Sequence, residues 1–165
     1  MQSPFMVTRS EEMDNSRLFT IHFLRFFLRA SRQMTEAFDG DMEMAIIAQA
    51  VAISTVEALL RENNFKEEFR SLDAIVGTER QRGCNALSIS QATGLPRETV
   101  RRKMLRLVEM DILIRRGKGD FIIRPGVVQG PIYRALYQDI AVMAARMFGD
   151  CLDDGIFNLV GKTST

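Results

Sequence analysis

Histidine and cysteine are scarce in this 165-residue chain. The one histidine is His22, and the two cysteines, Cys84 and Cys151, lie far apart with no C-x-x-C between them. A tetrahedral zinc site takes more such ligands than these, so no metal is expected. The cysteines read as buried thiols of a reducing compartment rather than as a redox pair. His22 stands in a Phe-rich stretch with no acid or nucleophile at motif spacing, and reads as a core or interface histidine. Phosphate loops, nucleophile elbows and H-E-x-x-H are also missing, so neither an enzyme nor a cofactor is expected. Long apolar runs are absent too. The least charged stretch, Met44 to Val56, falls short of the roughly 20 residues that span a bilayer. The first residues, MQSPFMVTRSEEMDNSR, have no basic start leading into a short apolar core, so no secretory signal is expected. A cytoplasmic protein without a membrane partner follows. Neither sign of charge is in excess, since the net charge is +1.

What the chain does have is apolar content, 46% of its residues, which is ample for a core. Its charge is unevenly spread. From Cys84 to Arg124 there are nine Lys or Arg against four Asp or Glu, a net of +5, which leaves −4 on the rest. A basic module on an acidic body is the distribution expected of a protein that presents one surface to nucleic acid.

That module has internal order. Ser88 and Gln91 have the S-x-x-Q form of a capping box, so a helix is predicted to start there. Gly94 can end it, because glycine tolerates a left-handed stop. Pro96 suits a fresh helical start, where a missing N–H costs nothing. A short helix, a Gly-Leu-Pro turn and a second helix make the sequence form of a helix-turn-helix. On a wheel of residues 97 to 110, Val100, Met104, Leu107 and Val108 share one face. Arg102 and Arg106 lie opposite, flanked by Glu98 and Thr99, with Arg101 and Lys103 on the shoulders. Guanidinium groups so placed can fork onto a guanine edge or a phosphate. The plain alternative is a solvated basic face on an ordinary helix.

The residues that follow sharpen the choice. Ile112, Leu113 and Ile114, then Arg115, Arg116, Gly117, Lys118, Gly119 and Asp120, then Phe121, Ile122 and Ile123, read as two strands around a basic tip. Such a hairpin could reach a phosphate backbone or a minor groove. It could also be a hairpin whose charges only keep its edge soluble.

The stretch TGLPRETVRRKMLRLVEMDILIRRGKGDFII resembles the winged helix of bacterial transcription regulators, especially the GntR and MarR groups. Arg97, Thr99, Val100 and Arg101 match the R-x-T-V-R that starts a GntR-type recognition helix. Arg115, Arg116, Gly117, Lys118, Gly119 and Phe121 stand near its R-R-x-G-x-G-x-F. The resemblance covers about a quarter of the chain. It implies that Arg97, Thr99 and Arg101 contact an operator and that the Gly117–Gly119 tip enters a groove. Pro96 departs from it, standing where the family often has a capping Ser or Thr.

Around this module, residues 1 to about 14 read as a loose arm. A first helix is predicted from Ser16 to about Phe38, with Phe19, Phe23, Phe26 and Phe27 as a stripe, and a second from Asp41 to Glu62. Asp39, Gly40 and Asp41 break the pattern between them, so the two read as an antiparallel hairpin. Asn64 and Glu67 suggest another helix start, with Phe65, Phe69, Leu72 and Val76 on one face of a helix to about residue 77. Ala86 and Leu87 could add a short strand to the wing. Pro125, Gly126, Gly130 and Pro131 punctuate a linker, and a last helix runs to about Phe148, with a short structured piece and then a frayed tail over Asp150 to Thr165. The expected fold is mainly α with a small β wing. A winged helix-turn-helix at 64–125 is flanked by an arm and helical hairpin at 1–63 and a C-terminal helix and tail at 126–165.

The functional expectation is a sequence-specific regulator that binds double-stranded DNA as a homodimer. Its contacts would come from Arg97, Thr99, Arg101, Arg102, Lys103, Arg106, Arg115, Arg116, Gly117, Lys118 and Gly119. Dimerisation would use the apolar helices outside the module. A small apolar effector could sit among Phe and Met side chains of the flanking helices, though such side chains are more often core. The rival expectation is a winged helix that binds protein rather than DNA, suggested by the near-neutral total charge and by Glu98 beside the base-facing side.

Overall fold

The computed structural model describes residues 5–10, 14–61 and 65–161. The chain is mainly helical, with two small antiparallel sheets. Strand β1, Phe5–Arg9, precedes helix α1, Ser16–Ala37, and helix α2, Met42–Val56. A 3-10 turn at Leu59–Arg61 and a four-residue helix α3, Phe65–Glu68, lead to α4, Ala86–Thr93, and α5, Arg97–Glu109. Strands β2, Leu113–Arg116, and β3, Asp120–Ile123, follow, then α6, Pro131–Asp153, and β4, Phe157–Gly161. These form two compact units, Met34–Leu136 and the remainder.

The unit of residues 34–136 has a core drawn from α2, α4, α5 and the hairpin. Met44, Ala45, Ile47, Ala48 and Val51 of α2 meet Ile89, Val100, Met104, Leu107, Leu113 and Phe121, all buried. Each fully buried large side chain contributes about 1.5–3 kcal/mol, so this cluster holds the unit together. Helix α2 begins where Asp39 and Gly40 take left-handed backbone and Asp41 accepts the Met44 N–H at 2.9 Å. Two expectations are corrected here. The separate hairpin expected in residues 1–63 does not hold α2, which fills the core of the unit that contains the basic module. The helix expected over 65–77 stops at Glu68, and Leu72 and Ile75 are exposed. The Ser71 hydroxyl accepts the Asp73 N–H at 3.1 Å, a local bond that competes with helical ones. Asn64, the proposed start of that helix, lies outside the described residues, as does Glu62, the proposed end of α2.

Helix α4 also starts earlier than Ser88. Asn85 is its cap, accepting from the backbone N–H of Leu87 and of Ser88 at 3.0 Å each, while the Asn85 N–H reaches Ser88 Oγ at 3.2 Å. Ser88 therefore completes the box from inside the first turn. Ala86 and Leu87 are helical rather than a strand. The extra pairing to the hairpin is a single bridge at Cys84, whose N–H and C=O both bond Phe121, at 2.9 and 2.8 Å. Gly94 closes α4 at φ +72°, and Pro96 opens α5 with no side-chain cap bond. Strands β2 and β3 pair Leu113 with Ile123 through Arg116 with Asp120. Gly117 and Gly119 turn the tip at φ +58° and +84°, where a side chain would be strained.

The second unit comprises the rest of α1 and α6 with β1 and β4. The arm expected to be loose at residues 1–14 contains β1, and the short structured piece expected after Asp150 contains β4. They pair from Phe5 with Gly161 to Arg9 with Phe157. Residues 1–4, 11–13 and 162–165 lie outside the described residues. Helix α6 runs past Phe148 to Asp153, and Cys151 and Ile156 are buried behind it. The Phe stripe of α1 stacks along its own helix: Phe19, Phe23 and Phe27 rings lie 6.1 and 5.9 Å apart. Those three rings are also exposed, so the stripe is a surface and not a core.

Candidate nucleic-acid interface

Helix α5 has two sides because Val100, Met104 and Leu107 recur at helical spacing and are fully buried. That burial fixes its rotation. Arg97, Arg101, Arg102 and Arg106 are then all exposed, Thr99 and Lys103 half-buried. The β2–β3 hairpin follows directly, tied to α5 by Ile112 N–H donating to the Leu107 carbonyl at 2.9 Å.

A cleft of about 380 Å³ lies between α5, the start of α4 and the hairpin. Arg97 and Arg101 of α5 line it together with Arg115, Lys118 and Gly119 of the hairpin. The Arg115 guanidinium stands 6.0 Å from the Phe121 ring centroid, a distance at which the ring face favours the cation. Among the described residues, Arg97, Arg115 and Lys118 have no carboxylate in ion-pair range. Arg101 has one: Glu98 takes its Nη2 at 2.7 Å and its Nε at 2.9 Å. That pair lowers the Glu98 carboxyl below its ordinary value and raises Arg101, in both through the hydrogen bond between them first. Both partners are well exposed, so the pair is weak and open to exchange.

The other expected contacts divide. Arg102, Lys103 and Arg106 line a separate cleft of about 430 Å³ that also holds Asp39 and Asp41. Lys103 is bound by Asp41 and lies 3.3 Å from Glu43, with only 14% of its side chain exposed. Its expected place on a nucleic-acid face is thus taken by the protein's own acids. Arg106 pairs with Glu109 at 2.8 Å, both exposed. Arg116 turns back to Asp120 at 3.1 Å and donates to the carbonyls of Thr78 and Gln81 at 3.2 and 3.4 Å, so it braces a loop.

Asn85 lines the Arg97 cleft and was not among the expected residues. Its N-x-x-S spacing with Ser88 is legible in the sequence, three residues before the S-x-x-Q of Ser88 and Gln91. Asp41 and Glu43 were missed because nothing local places them beside Lys103, 62 and 60 positions on. Among the described residues no group of His, Cys, Asp and Glu gathers as a metal site. No described helix is long and apolar enough to cross a membrane. Compared with protein-family models, curated sequences and solved structures, the chain gave no match.

Proposed function

We propose that this protein is a sequence-specific DNA-binding regulator built on a winged helix-turn-helix. One observation carries the reading: Arg97, Arg101, Arg115 and Lys118, from a helix and a hairpin, open onto one cleft, and three of them lack acid partners among the described residues. Helix α5 enters the major groove, where its guanidinium groups read base edges, and the Gly117–Gly119 tip lies on the flanking backbone or minor groove. Arg102 and Arg106 reach the backbone beside Asp39 and Asp41, which repel phosphate and set the register. The experiment is a mobility shift on mixed duplex DNA over a salt series. Binding should fall steeply with salt, by a log–log slope of about −0.9 per phosphate contacted. Loss of all binding at low ionic strength would sink the reading.

The protein acts as a homodimer in this proposal. Among the described residues, fifteen large apolar side chains of the unit formed by β1, β4 and most of α1 and α6 are exposed, among them Leu24, Leu28, Val142 and Leu152. At roughly 60–100 Å² each they offer roughly 900–1,500 Å² in total. A monomer's largest apolar patch is about 300–600 Å², and a standard interface takes about 800 Å² from each partner. Two copies on a two-fold axis would read half-sites about one helical turn apart.

The pairing of Arg101 with Glu98 and Arg106 with Glu109 favours a second reading, in which the same surface binds an acidic protein. A protein partner would compete with DNA for Arg97 and Arg115, and salt-independent failure to bind duplex would favour it.

A further inference from the structure

A groove between α1 and α6 collects three arginines that the nucleic-acid interface does not use. Arg25, Arg29 and Arg146 line a cleft of about 180 Å³ with His22, Phe26, Met143, Met147 and Asp150. Arg25 and Arg29 stand four apart on one helix, a spacing at which like charges repel. Among the described residues, Arg80, Arg101, Arg106, Arg116, Arg124, Arg134 and Lys103 each have a carboxylate in ion-pair range, whereas Arg97, Arg115 and Lys118 of the basic module do not. Arg25, Arg29 and Arg146 have none.

One acid beside the groove is engaged by His22. Its Nε2 lies 2.7 Å from Asp154, and its Nδ1, buried and without a hydrogen bond, lies 3.7 Å from Asp150. The imidazole therefore holds Asp154, while Asp150 stays exposed at the edge of the groove, and neither carboxylate is in ion-pair range of the three guanidinium groups. Phe26, Met143 and Met147, all half-buried, add apolar surface between the exposed arginines. Each guanidinium carries five N–H donors in a fork matched to carboxylate or phosphate oxygens.

We propose that this groove binds a small dianion, two carboxylates or one phosphate on a body of a few carbon atoms, between Arg25, Arg29 and Arg146. The apolar part rests on Phe26 and the two methionines. Asp150 on the rim selects against ligands whose second charge falls near it. The expected effector was apolar; the groove favours a charged one.

Calorimetry on the full chain without DNA tests this, with succinate, phthalate and inorganic phosphate as probes against sodium chloride of equal ionic strength. At least one probe should bind saturably, and the carboxylate and phosphate arms separate the two sources of charge. Arg25→Gln, Arg29→Gln and Arg146→Gln should each weaken binding roughly ten-fold. Arg9→Gln should leave it unchanged, and Asp150→Asn should tighten it. Where a variant loses its helical circular dichroism, Arg146→Lys replaces it, keeping charge but losing the fork, and should still bind more weakly. No saturable heat above the chloride control with any probe overturns the proposal, as does unchanged affinity in the arginine variants. No DNA is present, so this outcome is independent of the DNA-binding reading.

Discussion

Lys103 of α5 is held by Asp41, the same residue that caps α2. One carboxylate thus joins the basic helix to the helix beneath it. Asp41→Ala should cost about 1–3 kcal/mol in urea unfolding, because it removes a cap and leaves a mostly buried ammonium without its best partner. Burial acts to raise the Asp41 carboxyl, but hydrogen bonds from Lys103 and the Met44 N–H outweigh it and hold the group below its ordinary 3.8. A depressed carboxylate stabilises the fold above its unfolded value, and that contribution fades as pH falls through the lower folded value. The stability gap between wild type and Asp41→Ala should therefore be full near neutrality and shrink below pH 3.8. A gap that stays constant through that range would rule out the carboxylate as its source.

Occupied and open cations on the basic module should behave differently. Arg97→Ala, Arg115→Ala and Lys118→Ala should each weaken duplex binding and flatten its salt dependence by about one ion. Lys103→Met should leave DNA affinity within about two-fold, since Asp41 and Glu43 already hold the ammonium. Arg116→Ala should lower stability by about 1–2 kcal/mol, through its bonds to Asp120, Thr78 and Gln81, more than it lowers affinity. Glu98→Gln should tighten binding by freeing Arg101. Parallel mobility shifts and urea melts separate these effects, and equal loss of affinity in Lys103→Met and Arg97→Ala would contradict the division.

The dimer prediction rests on spacing. Ile21, Leu24 and Leu28 of α1 recur at three and four, as along a coiled-coil seam, and all are exposed, Leu28 at 65%. Leu24→Glu with Leu28→Glu should convert a dimer to a monomer in light scattering at micromolar concentration. The monomer should keep its helical circular dichroism, because neither side chain is in a core. A wild type that scatters as a monomer would remove the premise.

Sequence pattern carried the basic module well and its surroundings poorly. Val100, Met104 and Leu107 declared the inner face of α5 by their period, and Gly94, Gly117 and Gly119 marked positive-φ turns, because both signals act within a few residues. Helix α2 gives no such signal because it is apolar nearly all round: Ile47 and Val51 are buried while Ile46 and Ile53 are exposed, so no stripe points to its partner. The β1–β4 ribbon was invisible because Phe5–Arg9 pairs with residues some 150 positions away. Both strands are five residues long, so the first reads locally as a loose arm and the second only as a short structured piece. For the candidate site, residue types were legible but partners were not. Arg101 and Lys103 look alike on a wheel, and only tertiary contact distinguishes an arginine at an open cleft from a lysine bound to Asp41.

The two thiols offer a test of the core beneath the hairpin. Cys84 is buried under Phe121, and burial first, with the Asp120 charge adding to it, pushes its thiol up to about 11. Cys151 is raised as well, by burial and by Asp150 and Asp154. Near pH 8 both should stay protonated and shielded, so a thiol-specific reagent should react with neither until urea unfolds the chain. The linkage has a definite sign. A thiol whose folded value exceeds its unfolded 9.0 leaves stability intact below 9.0, and stability falls as pH rises toward about 11, because the unfolded chain releases its proton first. Urea midpoints should therefore drop over that interval more in wild type than in Cys84→Ala. Tyrosine and lysine titrations are common to both chains and cancel in the comparison. Rapid reaction of Cys84 in the folded protein would mean that the Cys84–Phe121 bridge opens readily, and the hairpin would then lack the fixed footing that the proposed interface needs.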